Sequence, residues 1–320
     1  MMQSLDIFRA LADPTRVRIV SLLRTMELAV GELAQVLGQS QPRVSRHIKI
    51  LCDAGIAQRR REGSWVFLCP GKTDIVAPLF RAIDDWSHLG AVDHWAVADS
   101  ARLAAVRADR AAAAQRYFAA HAGQWDAIRS LHVAETDVEA AMAKALSDQP
   151  IGTLVDIGTG TGRMIELFGG RAQRATGIDR NPEMLRLARA KLAESPQSNW
   201  DLQQGDVAAL PLPSHSADTV ILHQVLHFIP APEAAIAEAA RLVSASGRLL
   251  IVDFAPHERE ALRVDNAHTR LGFSDDQIRS WFAASGLAVD LIETLAGGEL
   301  TVKIWRGRRL ALAPLKVVAA

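Results

Sequence analysis

Apolar positions recur first at helical spacing along the chain, and later as short β-like runs alternating with helical segments. After Asp13-Pro14, the residues Val17, Ile19, Val20, Leu22 and Leu23 give a helix its buried face; Asp is a good N-cap, and Pro fits a first turn where its missing N–H costs nothing. A second helix is predicted around Val30–Leu37, ending at Gly38, a usual helix stop. A third, over 41–54, turns Val44, Ile48 and Leu51 inward. In IAQRRREGSWVFLC two β-prone runs flank Glu62-Gly63 and predict a hairpin. Residues 71–150 keep helical spacing with hardly a strand signal; QRYFAAHAGQWDAIRSLH sets Tyr117, Phe118, Trp125, Ile128 and Leu131 on one apolar stripe. From 151 to 306 strands and helices alternate, which predicts a parallel α/β sheet. AVDLIETL and ELTVKIW, joined through Ala-Gly-Gly, read as a closing hairpin with an antiparallel last strand.

The third helix carries a second pattern on its outer side: Gln41, Arg43, Ser45, Arg46, His47 and Lys49. Two helices joined by a short Gly-containing turn, the second rich in Arg and Ser, make a helix-turn-helix. Long donors there reach guanine O6 and N7, while Ser and Lys hold phosphates. Arg59, Arg60 and Arg61 before the hairpin turn make a basic wing for the neighbouring groove or backbone. Charge agrees with this: residues 1–70 carry a balance of +4 and the remainder −4, on a chain whose overall net charge is zero. A basic head on an acidic body suits double-stranded DNA as a partner. A charged, solvated hairpin on a protein-binding domain is the plainer alternative.

LADPTRVRIVSLL, QPRVSRHIKILCDAGI and RRREGSWVFL, in that order and spacing, resemble the ArsR family of winged-helix repressors over roughly residues 4–90. The resemblance implies a homodimer paired through the first helix and the helix around residues 74–89, and hence a two-fold operator with half-sites about one DNA turn apart. Many members of that family sense metals through two cysteines before the turn. Here the segment reads ELAVGEL, with Ala29 and Gly31 at those places, so thiophilic metal sensing there is not expected, for want of soft ligands. A second family site uses Asp and His on the last helix; Asp85, His88 and His94 lie nearby at a different spacing and read as solvated helix residues. No metal is expected. Cys52 and Cys69 are too few for a disulfide framework or a four-thiolate zinc site, and read as buried, inert thiols.

In the larger half, a strand over 153–157 runs into Gly158-Thr-Gly160-Thr-Gly162, and RMIELF resumes helical spacing. Strand, glycine-rich turn and helix form a nucleotide-binding crossover, where bare backbone approaches the ligand. Three details narrow the ligand. A nicotinamide fingerprint wants a third glycine where Arg163 stands. Asp156, two residues before the first glycine, gains nothing beside a pyrophosphate but suits a cationic sulfonium or ammonium. Asp179 ends the next strand about twenty residues on, where a carboxylate accepts both ribose hydroxyls, with Arg180 beside it. Asp206 follows a third strand, placed for an adenine amino group, with Val207 offering a backbone N–H. LVDIGTGTG, GID and GD together, with five crossover strands and a terminal hairpin, resemble the Rossmann-like seven-stranded class I methyltransferase fold over roughly residues 120–306. That resemblance implies S-adenosylmethionine, or S-adenosylhomocysteine, as the ligand. It also implies a lid before the first strand, to which Trp125, Asp126 and Arg129 are assigned, with packing as the other role for the Trp. An inert Rossmann-like scaffold is the alternative.

Methyl transfer from a sulfonium is an in-line displacement to which a protein adds alignment, desolvation and sometimes a base. His223, Gln224 and His227 follow the fourth strand; Asp253 and His257 follow the fifth, with His268 beyond. His223, His227 and His257 are the catalytic candidates, His223 doubling as a cofactor contact; structural hydrogen bonding is their other role. HQVLHF stands where an Asn/Asp-Pro-Pro-Tyr motif would mark amide methylation. There is no Pro-Cys nucleophile for cytosine, and there are too few thiols for arsenite. A small-molecule acceptor is left. The expected organisation is α/β. A winged helix-turn-helix and dimerisation domain (1–90) and a helical connector and lid (91–150) precede the cofactor domain (151–306) and a tail (307–320). Apolar runs stay short of the ~18 residues of a membrane span, and the first residues hold acid and arginine where a signal peptide has an apolar core. A cytoplasmic protein without membrane contact is therefore expected. Two functions are open: a DNA-binding regulator carrying a working methyltransferase, or a non-catalytic sensor of S-adenosylmethionine or S-adenosylhomocysteine. Related fusions connect the latter to methionine and methyl-cycle genes.

Overall fold

The computed structural model describes residues 2–62, 65–87, 94–121, 134–194, 199–296 and 299–309. The chain divides into two compact units, Met1–Ala112 with Glu258–Glu260, and Ala113–His257 with Ala261–Ala320. No described helix is long and apolar enough to cross a membrane.

The first unit opens with α1 (Met2–Leu11) and α2 (Pro14–Leu23). Asp13 caps α2, its carboxylate accepting the Arg16 N–H at 3.1 Å, and Pro14 occupies the first turn. Ile19, Val20, Leu22 and Leu23 are buried as expected; Val17 is 38% exposed, because it lies on the opposite face of the helix. α3 (Val30–Leu37) ends on Gly38, whose φ of 65° is the left-handed geometry that closes a helix. α4 (Gln41–Asp53) buries Val44, Ile48 and Leu51 completely. β2 (Ala57–Glu62) and β3 (Trp65–Pro70) pair antiparallel with Glu62 opposite Trp65, and β1 (Leu28–Ala29) adds to β3, giving the order β1-β3-β2. The hairpin turn at 63–64 lies outside the described residues. α5 (Thr73–Ser87) and α6 (His94–His121) follow, and the division between the units falls within α6.

The second unit is a seven-stranded mixed sheet, ordered β6-β5-β4-β7-β8-β10-β9. Its strands are β4 (Gly152–Ile157), β5 (Ala172–Asp179), β6 (Trp200–Gln204), β7 (Ala217–His223), β8 (Val243–Phe254), β9 (Leu287–Ala296) and β10 (Thr301–Arg309). The first five are parallel, and β10 lies antiparallel between β8 and β9. Strand order reverses at β4, which has β5 on one side and β7 on the other. A crevice at the carboxyl ends of β4 and β7 is the ligand position such a sheet provides. Apolar cores cover both faces: Leu154, Ile165 and Leu185 belong to one, Val155, Val220 and Ile236 to the other. α7 (Glu135–Ala145) contributes Val138, Met142 and Ala145 to the first of these cores, so this part of the expected connector packs as cofactor-domain structure. β10 continues three residues past Arg306, into the expected tail.

Candidate functional sites

On α4, Gln41, Arg43, Arg46 and Lys49 are exposed, while Ser45 and His47 are half-buried. His47 turns toward α2, its Nδ1 lying 3.6 Å from the Asp13 carboxylate. On β2 the alternation of a strand separates the three arginines: Arg59 and Arg61 are exposed, Arg60 is not. Its Nη1 donates to Glu27 Oε1 at 2.8 Å and lies 3.2 Å from Cys69 Sγ, while its Nη2 donates to Glu27 Oε2. Arg60 is thus corrected from wing contact to a brace under the hairpin, because Glu27 is buried and needs the cation. Glu27 was missed from sequence; the period of two along RRR was the available signal. Asp85 and His94 are exposed, and His88 lies outside the described residues. Cys69 is buried; Cys52 is half-buried, its thiol pushed up mainly by burial.

In the second unit the chain from β4 enters α8 (Arg163–Phe168) through three glycines with left-handed φ: 71° at Gly158, 53° at Gly160 and 83° at Gly162. A Cβ on Gly158 would lie 2.5 Å from Val225 Cγ2, so only a bare backbone fits there. The Gly158 and Thr159 amides both donate to the Ile178 carbonyl, at 2.7 and 3.0 Å. Asp156 is buried beneath the loop and accepts the Thr159 hydroxyl at 2.6 Å. Arg163, where a nicotinamide site wants glycine, pairs with Glu139 of α7 at 2.7 Å and Glu166 at 2.8 Å, which holds its guanidinium in the charged form.

Asp179 meets this loop directly. Its Oδ2 accepts the Gly160 N–H at 2.9 Å and its Oδ1 the Asn181 N–H at 2.8 Å. Asn181 caps α9 (Pro182–Ala193), accepting from Glu183 and Met184. Burial pushes the Asp179 carboxyl up, against the amides of Asn181, Gly160 and Arg180 that pull it down. The Gly205 amide donates to the Asp179 carbonyl at 3.1 Å, which draws Asp206 alongside, and the Arg180 guanidinium lies 3.8 Å from the Asp206 carboxylate. Both partners of that pair are about half exposed, so it adds little stability. Val207 is half-buried against the core. Asp156, the glycine loop, Asp179, Arg180 and Asp206 are thereby linked one to the next at the carboxyl ends of β4 and β5, with Thr159 and Asn181 as further links.

Across the crevice, His223 is buried at the end of β7. Gln224 follows with φ 49° and donates its amide to the Val252 carbonyl at 2.7 Å. His227 is buried beside Asp253, and His257 is half-buried after β8, its amide bonded to the Leu271 carbonyl at 3.0 Å. The assigned lid residues Trp125, Asp126 and Arg129 lie outside the described residues. Among the described residues no group of three His, Cys, Asp or Glu side chains is arranged to hold a metal ion.

An exposed basic recognition helix with a hairpin beside it, and a seven-stranded sheet whose glycine loop meets a strand-end carboxylate, define a winged helix-turn-helix joined to a class I S-adenosylmethionine-dependent methyltransferase domain. Residues 13–59 match the arsR family of bacterial regulatory proteins, and residues 155–251 match the methyltransferase domain family. The chain belongs to the arsR family, with a methyltransferase domain following its DNA-binding part. It is 40% identical over 101 residues to the arsenic resistance transcriptional regulator ArsR1 of Pseudomonas putida, covering 31% of this chain and 75% of that protein. It is 32% identical over 106 residues to the uncharacterized methyltransferase YcgJ of Bacillus subtilis, covering 33% of this chain and 42% of that one. The chain thus spans three quarters of the first relative and less than half of the second. One chain of a solved Haloferax volcanii complex containing the Trm112 methyltransferase activator is similar over 62% of this chain and 99% of its own, with a TM-score of 0.51 and 19% identity, a likeness of fold alone.

Proposed function

We propose that the protein is a homodimeric, cytoplasmic, operator-binding regulator whose second unit binds S-adenosylmethionine and methylates a small molecule. The observation that carries this reading is the meeting of Asp179 with the Gly160 amide beneath three left-handed glycines. The residues fit an adenosyl ligand: three glycines at positive φ present the loop as bare backbone, and Asp179 stands beside it as an acceptor. When bound, S-adenosylmethionine supplies an electrophilic methyl group. Asp179 would accept the ribose hydroxyls, with Arg180 beside it. Asp206 would accept the adenine amino group, and the Val207 amide would face the ring. Asp156 under the loop would offset the cationic end. His223, His227 and His257 across the crevice would serve the acceptor side. In the first unit, Gln41, Arg43, Arg46 and Lys49 would read the major groove and its phosphates, and Arg59 and Arg61 the backbone beside it. Leu5 and Phe8 on α1, 50% and 65% exposed, would pair with a second copy.

A second reading, in which the methyltransferase unit acts only as a sensor, is favoured by the way α6 is fastened. Arg18 of α2 holds Asp99 through Nε at 2.7 Å and Nη2 at 2.6 Å, and reaches the Leu37 carbonyl; Arg102 reaches the Val36 carbonyl. The helix that leaves the first unit is thereby tied to the turn that presents α4. A coupling of ~2 kcal/mol between ligand and DNA would change operator affinity about thirtyfold. Titrating S-adenosylmethionine and S-adenosylhomocysteine separately into the protein–operator complex, alongside a turnover assay on a metabolite panel, tests both readings. Release by one ligand without turnover supports the sensor, and turnover without an effect on DNA supports the enzyme. Failure of both ligands to bind overturns both.

A further inference from the structure

Beyond the adjacent ends of β7 and β8 a group of rings gathers around His227. Its centroid lies 4.1 Å from Phe228, 4.1 Å from His268 and 5.1 Å from Phe254, and Phe254 in turn has His257 edge-on at 6.1 Å. Asp253, wholly buried, places Oδ1 2.8 Å from His227 Nδ1 and accepts the His227 backbone N–H through Oδ2 at 3.3 Å. A carboxylate only accepts, so Nδ1 carries the hydrogen of this bond, and in the neutral ring the lone pair lies on Nε2. The main chain is fixed as well: the His227 carbonyl accepts the Thr269 and Arg270 amides and the Thr269 hydroxyl. Position and tautomer of the imidazole are therefore both set by its neighbours. Val225, which packs where a Cβ on Gly158 would fall, puts this segment against the glycine loop, and His227 is two residues further on.

We propose that His227, held by Asp253, is the base that takes the proton of a neutral, hydroxyl-bearing aromatic methyl acceptor. The proposal rests on the reading of this unit as an S-adenosylmethionine site. The acceptor's O–H proton passes to Nε2 while the oxygen forms the new C–O bond and the sulfonium sulfur keeps the electron pair of the broken S–CH3 bond. An oriented base points to a hydroxyl, since a carboxylate arrives already ionised and a neutral amine has its lone pair free before it loses a proton. Phe228, Phe254 and His268 make the surroundings of His227 aromatic and largely apolar, which favours a planar apolar acceptor beside it, and a second anion next to buried Asp253 would be costly. Asp253 is a positioning residue in this scheme and does not touch the acceptor.

The test is long-range 15N–1H spectroscopy of the full chain at about pH 8, with S-adenosylhomocysteine present. The His227 signals are assigned by their loss in His227→Gln. Phenol and catechol are expected to shift the Nε2 resonance while benzoate leaves it in place, and Asp253→Asn is expected to redistribute the hydrogen between the two ring nitrogens. A His227 resonance unmoved by both hydroxyl compounds, or moved most by benzoate, overturns the proposal, as does an unchanged tautomer in Asp253→Asn. Calorimetry on the same samples separates the two levels: S-adenosylhomocysteine binding with a silent His227 removes only the base, whereas no binding removes the cofactor reading beneath it.

Discussion

In the helix-turn-helix unit, the candidate contacts are exposed side chains: Gln41, Arg43, Arg46 and Lys49 on α4, and Arg59 and Arg61 on β2. In the methyltransferase unit the candidate site is mostly main chain: three glycines in left-handed geometry, a carboxylate held by backbone amides, and a second carboxylate buried under the loop. Damage should follow that difference. A surface of independent contacts degrades in increments, while a loop whose backbone is the binding element fails as a whole.

The contrast is tested most severely at Asp179. Asp179→Ala removes an acceptor for two ribose hydroxyls, and charge-assisted bonds of ~1.5–3 kcal/mol each predict a loss of cofactor affinity above about 100-fold. Calorimetry should register that loss while ligand-free operator binding stays intact. The raised Asp179 carboxyl adds a pH signature. Folded Asp179 binds protons more tightly than the unfolded chain does, so its ionisation opposes folding, increasingly as pH rises from the unfolded value of about 3.9 through the folded one. Asp179→Asn should therefore raise the apo Tm at pH 7, with the gain shrinking toward pH 4. Cofactor affinity of the native protein should fall as pH drops through the same interval, since ribose hydroxyls favour the ionised form.

Gly158→Ala comes next. The left-handed φ and the collision with Val225 together predict a cost of roughly 2–4 kcal/mol, read as a lower Tm and lost cofactor heat. Within the first unit, Arg60→Ala and Arg59→Ala should part company. Loss of Arg60 strands buried Glu27 and is expected to cost about 1–3 kcal/mol of stability, less than a fully buried pair because Arg60 is partly solvated. Arg59→Ala should leave Tm unchanged and weaken DNA binding in fluorescence anisotropy. Smallest and most graded are the α4 contacts. Arg46→Ala should cost ~1–3 kcal/mol on the operator if it reads a base, and Lys49→Ala should weaken binding to all sequences and lower the salt slope by about 1.

Much of this architecture was legible from local signals. Asp13-Pro14, Gly38 and the apolar triplet Val44, Ile48 and Leu51 fixed the first unit's helices, because caps and periodicity act over a few residues. LVDIGTGTG, GID and GD marked the crevice, since a backbone forced to positive φ leaves glycine as its trace. What escaped depends on contacts distant in sequence. Glu27 selects Arg60 across 33 positions, α7 joins a core built from strands that follow it, and Val17 proved to be on the far face of a helix with two apolar sides. Asp253 and His227, 26 residues apart, were each visible as candidates, but their pairing needed the parallel register of β7 against β8.

The most direct test is calorimetric titration of S-adenosylhomocysteine into the full chain and into its Asp179→Ala variant. One adenosyl ligand per chain in the native protein, and no detectable heat in the variant, is the predicted result. No heat in the native protein, or equal affinity in the two, would contradict it.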